Sequence, residues 1–288
     1  TVYASTMDHS ALEYRKSRGL GQSDEQMAVL VQRVSGTRFG DHFMPCAAGT
    51  GFSYSLYRWS SDLDANAGML RLVAGMGTRA VDRTDGDYPR LVNLDMPDRT
   101  PLTSAEERHR FSQRKLDSIV FSQNRLESKP LSTLLPSLPA WYRALITEHD
   151  REAERVLRER GQPREVVFAS CAGIVQSTAF VTMMRDILKT LEAQYGVPVD
   201  IEYTVNFNQD GFFVVTLVQC RPLSVWKTAE SVALPALKED DTLFKVRHSF
   251  MGSAAEQRID GVVWVDSTAY YQYPHAKKRQ VALAIDQI

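Results

Sequence analysis

Two carboxylates, an amide and a guanidinium recur at strand spacing between Asp200 and Pro222, and together these groups suit a divalent cation that carries phosphates. Asp200 and Glu202 are two residues apart, so in an extended chain both acids project from one face while Ile201 and Tyr203 project from the other. Gln219 and Arg221 share a face in the same way, and Leu217 continues that series. Carboxylate and amide oxygens ligate hard cations, and a guanidinium grips phosphate through its fork of donors. On spacing alone the same residues also read as an antiparallel pair with an ordinary solvated face.

The elements that position these groups are strands at Ile201 to Asn206 and Phe212 to Cys220. The intervening Asn-Gln-Asp-Gly is a turn signal that makes them a hairpin. Upstream, the text predicts a helix from Asp8 to Ser17 stopped by Gly19, with His9 as a helix-start residue. A polar stretch from Gln22 to Gln26 leads to a strand buried on both faces at Met27 to Val34. Gly49 and Gly51 stand at the mouth of an aromatic strand, where backbone can approach a ligand. Gly75-Met76-Gly77 is a turn after the apolar Leu70 to Ala74, with Leu91 to Leu94 apolar beyond it. For both glycine pairs, tight turns between sheet strands are the simpler reading. From Ser104 and Glu107, a capping box, the region becomes helical, with helices at Ala105 to Arg114, Pro139 to Arg160 and Ala179 to Tyr195. Lys129 to Pro139 connects the first two. The charge run Glu148 to Glu152 reads as a solvated face, Glu165 to Ala169 as a strand, and Gly196-Val197-Pro198 as a helix stop. Beyond Pro222 come an acidic linker at Thr228 to Asp241, a strand at Gly261 to Asp266 and a helix at Lys277 to Ile288.

With 288 residues, 43% of them hydrophobic, and a net charge of -1, the chain can bury a large core. The near-neutral balance gives no broad reason to bind nucleic acid or anionic membrane. No apolar run is long enough to span a bilayer, and no signal peptide opens the chain. The chain starts on Thr1, which reads as an excised or processed piece. Cys46, Cys171 and Cys220 are odd in number and lack metal-ligand spacing, so the expectation is a cytoplasmic protein without disulfides.

Taken in order, Met27-Ala-Val-Leu-Val-Gln32, Gly49-x-Gly51-Phe52-Ser53, Gly75-x-Gly77, and Asp200-Ile-Glu202 with Gln219-x-Arg221-Pro222 resemble the nucleotide-binding domain of phosphoenolpyruvate synthase and pyruvate phosphate dikinase. The resemblance covers about Val2 to Leu223. It implies an α+β fold: an ATP-grasp-like C-terminal lobe with a mainly antiparallel sheet, a helical insert at about 101–195 and a small α/β tail. Residues 1–225 would be the C-terminal part of the nucleotide-binding domain, and 226–288 a linker with a small strand-helix segment. The implied cofactors are ATP and Mg. Glu202 and Gln219 would be the metal ligands, Arg221 the catalytic phosphate-binding cation, and Asp200 a nucleotide-side contact. Gln32, Arg33 and Val34 would meet the adenine, mostly through backbone.

The resemblance also implies the chemistry: a phosphotransferase of dikinase type that uses ATP to phosphorylate a histidine on a separate domain for transfer to pyruvate. The family's N-terminal lobe and its phosphohistidine domain would be partners outside this sequence, so the chain by itself is expected to be inactive and to bind ATP weakly. Departures are visible. None of the six histidines has the family's phosphohistidine context, Thr78 stands where the family has an acid, and Phe52-Ser53-Tyr54-Ser55 replaces its Phe-Thr-Arg-Asn text. A non-catalytic nucleotide-sensing or docking module, or a related dikinase with another acceptor, remains the alternative.

Overall fold

The computed structural model describes residues 3–17, 19–21, 28–57, 59–60, 62–81, 86–223, 240, 242–243 and 258–286. The chain divides into two compact units, Thr1–Leu223 and Ser224–Ile288. The fold is α+β, and its sheets are antiparallel throughout the described residues.

In chain order the first unit contains α1 (His9–Ser17), β1 (Thr37–Phe39), β2 (His42–Met44), β3 (Ala47–Phe52), β4 (Met69–Ala74), α2 (Thr78–Val81), β5 (Arg90–Asn93), α3 (Ala105–Arg110), β6 (Lys115–Val120) and β7 (Arg125–Pro130). It continues with α4 (Leu131–Leu134), α5 (Ala140–Ile146), β8 (Thr147–His149), α6 (Arg151–Glu159), β9 (Val167–Ala169), α7 (Ala172–Val175), α8 (Thr178–Tyr195), β10 (Val199–Phe207) and β11 (Phe213–Pro222). The second unit contributes α9 (Ser267–Gln272) and α10 (His275–Asp286). Among the described residues three sheets form, ordered β11-β10-β3-β4-β5, β1-β2-β6-β7 and β8-β9.

The core extends among β6, α4, α5 and α7, and one part of it lies between the five-stranded sheet and α8. Ser177 caps that helix by accepting from the Phe180 amide at 3.3 Å, and Gly196 closes it in the left-handed region at φ 68°. Phe180, Met184 and Leu188 recur every four residues and so form one buried stripe. It meets Ile201, Tyr203, Val205 and Phe207, the alternate residues of β10. The rings of Phe180, Phe207 and Phe213 sit 5.1 to 6.2 Å apart.

Several expectations change here. Ala28–Val34 is not a buried strand: it pairs with no sheet and is exposed, Leu30 by 79% and Val31 by 88%; Met27 lies outside the described residues. Apolar content shows that a segment favours exclusion from water, but a neighbour must provide it, and none of the described residues covers this run. The stretch expected to be a helical insert holds four strands as well. Lys115–Val120 and Arg125–Pro130 pair about a turn where Asn124 adopts φ 47°. The long helix expected from Pro139 to Arg160 is interrupted by β8, which pairs with β9; Asp150 then caps α6 by accepting from the Ala153 amide. Within the charge run at 148–152, His149, Arg151 and Glu152 are exposed as expected, but Asp150 is buried and also contacts His109 Nδ1 at 3.0 Å. The Ser104 and Glu107 capping box forms as expected, and the helix it starts is shorter, ending at Arg110. Gly261–Asp266 forms no strand, and the expected linker at 228–241 lies almost wholly outside the described residues.

Candidate functional site

The hairpin at Asp200 to Pro222 forms with its expected turn: the Asn208 side chain accepts from the amides of Asp210 and Phe212, and Gly211 takes φ 82°. Across it, Asp200 pairs with Arg221 and Glu202 with Gln219, so the two acids, the amide and the guanidinium do share one face. A register shift after Glu202 sets Tyr203 opposite Leu217 and leaves Val218 as the extra residue. Leu217 is thereby turned to the opposite face from Gln219, contrary to simple alternation.

β10 also pairs with β3, and from there the register carries across the sheet. One row reads Gln219, Glu202, Thr50, Arg71, Leu91; the next reads Arg221, Asp200, Phe52, Met69, Asn93. Thr50 and Arg71 were not legible as site residues. Thr50 sits between two glycines that draw attention to backbone, whereas Arg71 is a lone charge inside the apolar run Leu70 to Ala74.

Asp200 and Arg221 are an ion pair. One carboxylate oxygen of Asp200 accepts from Arg221 Nε at 2.8 Å and from Nη2 at 2.7 Å. The acid side chain is 9% exposed and the guanidinium 62%, so Asp200 holds the inner end of a group that faces solvent. That hydrogen bond is the main cause of a raised Arg221 pKa, with Coulombic attraction to Asp200 next and Glu202 adding to it. The cation is fixed in direction and retains donors for an anion. Asp200 thus positions Arg221.

Along the same face, Thr50 Oγ1, Thr204 Oγ1 and Asn206 Oδ1 are buried and bond to no protein group. Buried polar atoms without partners cost about 1–3 kcal/mol each, so a row of them marks a surface built to meet water or a ligand. Asn206 Nδ2 and Thr216 Oγ1 both donate to Ser35 Oγ, at 2.9 and 3.3 Å. Ser35 brings the end of the preceding segment, Gln32, Arg33 and Val34, to this face about 13 Å along β10 from Glu202. Those three residues are exposed and belong to no strand.

The glycine pair at 49 and 51 has another purpose than expected. Both lie inside β3, where a Cβ on Gly49 would meet Arg71 O at 2.0 Å and Tyr203 Oη at 3.0 Å, and one on Gly51 would meet Ile201 Cγ1 at 3.0 Å. They make room for the β4 backbone and for β10 side chains on the core face. Gly75 does form the expected turn, at φ 76°, but it leads into α2. Within α2, Arg79 is buried between Asp87 and Asp117, a network that ties the two larger sheets.

Glu202 and Gln219 bring one carboxylate and one amide oxygen together, and no group of three or more acids, histidines and cysteines able to hold a metal occurs among the described residues. That donor set fits Mg, which keeps several waters and is commonly bound through one or two carboxylates plus substrate phosphates. It does not fit a metal that needs an all-protein cage. All three cysteines are free, and no described helix is long and apolar enough to cross a membrane.

A family model described as pyruvate phosphate dikinase, AMP/ATP-binding domain, matches residues 1–241. A search of curated proteins finds no match. The match spans most of the chain, which therefore belongs to this family and carries its AMP/ATP-binding domain.

Proposed function

We propose that the polar face of the five-stranded sheet is the metal and phosphate wall of an ATP site in a dikinase-type phosphotransferase. The observation that carries this reading is the pairing of Glu202 with Gln219 beside the Asp200–Arg221 ion pair, on a face whose buried Thr50 and Thr204 hydroxyls have no protein partner. Glu202 and Gln219 are the metal ligands, and Arg221, oriented by Asp200, receives phosphate oxygens. Gln32, Arg33 and Val34 meet the adenine, delivered to the face by Ser35. Bound Mg supplies neutralisation of phosphate charge. Phosphoryl transfer depends mainly on positioning and charge, and these are the two things this wall provides.

The finer reading follows the resemblance. The fold is ATP-grasp-like and residues 1–225 are its C-terminal part; an opposing lobe supplies a lysine and an arginine to the phosphates. The acceptor is a histidine on a separate domain, from which the phosphoryl group passes to pyruvate.

Calorimetric titration of the chain joined to its natural upstream segment tests this. ATP should bind only with Mg present, and Glu202→Ala or Arg221→Ala should weaken it at least about tenfold each. Binding that ignores Mg or survives both substitutions overturns the assignment.

A further inference from the structure

At the β5 edge of the same sheet, three strands away from β10, lies a second concavity that uses none of Asp200, Glu202, Gln219 or Arg221. It has a volume of about 210 Å³ and is drawn from four segments: Tyr57, the start of β5, the Thr100–Arg108 region with Phe111, and the paired strands β8 and β9. For scale, a cavity of roughly 150 Å³ holds a benzene molecule.

Its walls are of two kinds. Tyr57, Tyr88, Phe111 and Phe168 contribute aromatic surface, with Tyr88 edge-on to Phe111 at 5.3 Å and Phe168 stacked on His109 at 5.3 Å. Arg90 and Arg108 contribute positive charge, and Glu148 is the acid in the lining, leaving one surplus positive charge. These cations are poorly used by the protein. Arg90 donates from Nη1 to Ser170 O at 3.2 Å, lies 3.9 Å from Glu148, and has a buried Nε with no partner, although its side chain is only 17% exposed. Arg108 makes no hydrogen bond or ion pair with any described residue through its side chain. Burial lowers the Arg90 pKa; Glu148 and Asp98 act against that shift, and the nearby Arg108 adds to it.

The cavity is largely aromatic, where water alone is a poor occupant, and Arg108 lines it with no acceptor among the described residues. We propose that this cavity binds a small carboxylate with a flat apolar body, its carboxylate received by Arg90 and Arg108 and its body held against Tyr57, Tyr88, Phe111 and Phe168. The largely aromatic walls favour a flat apolar anion over phosphate or a nucleotide, and guanidinium geometry matches carboxylate.

Benzoate is the probe, titrated into the full 288-residue chain by calorimetry or ligand-observed NMR. It should bind in the low-millimolar range or tighter, with its neutral isostere benzamide at least about tenfold weaker and inorganic phosphate unable to displace it. Arg108→Met should weaken benzoate at least about tenfold with the thermal midpoint unchanged, because that side chain holds nothing in the fold. Arg110→Met, on the same helix but outside the cavity, should leave binding as it is. The proposal is overturned by no benzoate binding up to about 10 mM, by equal affinity for benzamide, by displacement with phosphate, or by an Arg108→Met protein that binds as the parent does.

Discussion

The two faces of β10 divide one strand between stability and chemistry. On one face Ile201, Tyr203, Val205 and Phe207 are packed under α8 and over the glycines of β3. On the other, Asp200, Glu202, Thr204 and Asn206 stand with partners across the sheet and with hydroxyl and amide oxygens left unbonded. Each face also contains a buried oxygen with no protein partner, Tyr203 Oη on the core side and Thr50 Oγ1 on the polar side. The difference lies in what surrounds them. Tyr203 is enclosed by apolar side chains, which push its phenol pKa well up, whereas Thr50 stands in a row with Glu202, Gln219 and Arg71. An orphaned group in the first setting is a cost of packing; in the second it has polar neighbours, as the proposed phosphate wall requires.

The comparison breaks most severely at Gly49. Gly49→Ala drives a Cβ toward Arg71 O, so we expect a loss of more than about 3 kcal/mol in urea unfolding, or failure to fold. Next, Phe180→Ala, under the core face, should cost about 3–5 kcal/mol. Glu202→Gln, on the polar face, should change stability by less than about 0.5 kcal/mol while reducing Mg-dependent ATP affinity at least about tenfold. If the two substitutions exchanged these effects, the division of faces would be wrong.

Finer tests use the orphans. Tyr203→Phe and Thr50→Val each remove one unbonded buried oxygen with little change of shape, so both should leave stability equal or raise it by up to about 1 kcal/mol in thermal or urea melts. Only Thr50→Val should weaken nucleotide. Smallest is an effect on thiol chemistry: burial pushes Cys46 up to about 11 and Cys171 up to about 12, while Cys220, on β11, is half-buried. At pH 8 the Cys171 thiolate fraction is on the order of one in ten thousand. Ellman titration of the native chain should therefore find one reactive thiol, Cys220, and three after unfolding. As pH rises through the folded-state values, stability contributed by keeping Cys46 and Cys171 neutral should fall.

Much of the hairpin was legible because its signals are local. The Asn-Gln-Asp-Gly turn, the period-two alternation in β10 and, beyond the hairpin, the cap at Ser104 and the stop at Gly196 depend on residues within a few positions of each other. Leu217 shows the limit: the shift after Glu202 inverts its face, and no composition within the strand announces it. β8 shows another, since Thr147-Glu148-His149 reads as helix until β9 offers it a ladder.

Residue order by itself determined that Asp200, Glu202, Gln219 and Arg221 could share a face, that a helix ends at Tyr195 before the hairpin, and that the chain resembles a dikinase nucleotide-binding domain. Only the tertiary structure decided that Thr50 and Arg71 join Glu202 in one row, that Asp200 holds Arg221, and that Arg90 and Arg108 meet around an aromatic cavity. Those relations join residues far apart in the chain. Alternation assigns a side chain to a face, but which strand lies opposite, and in what register, is decided by the packing of the whole sheet.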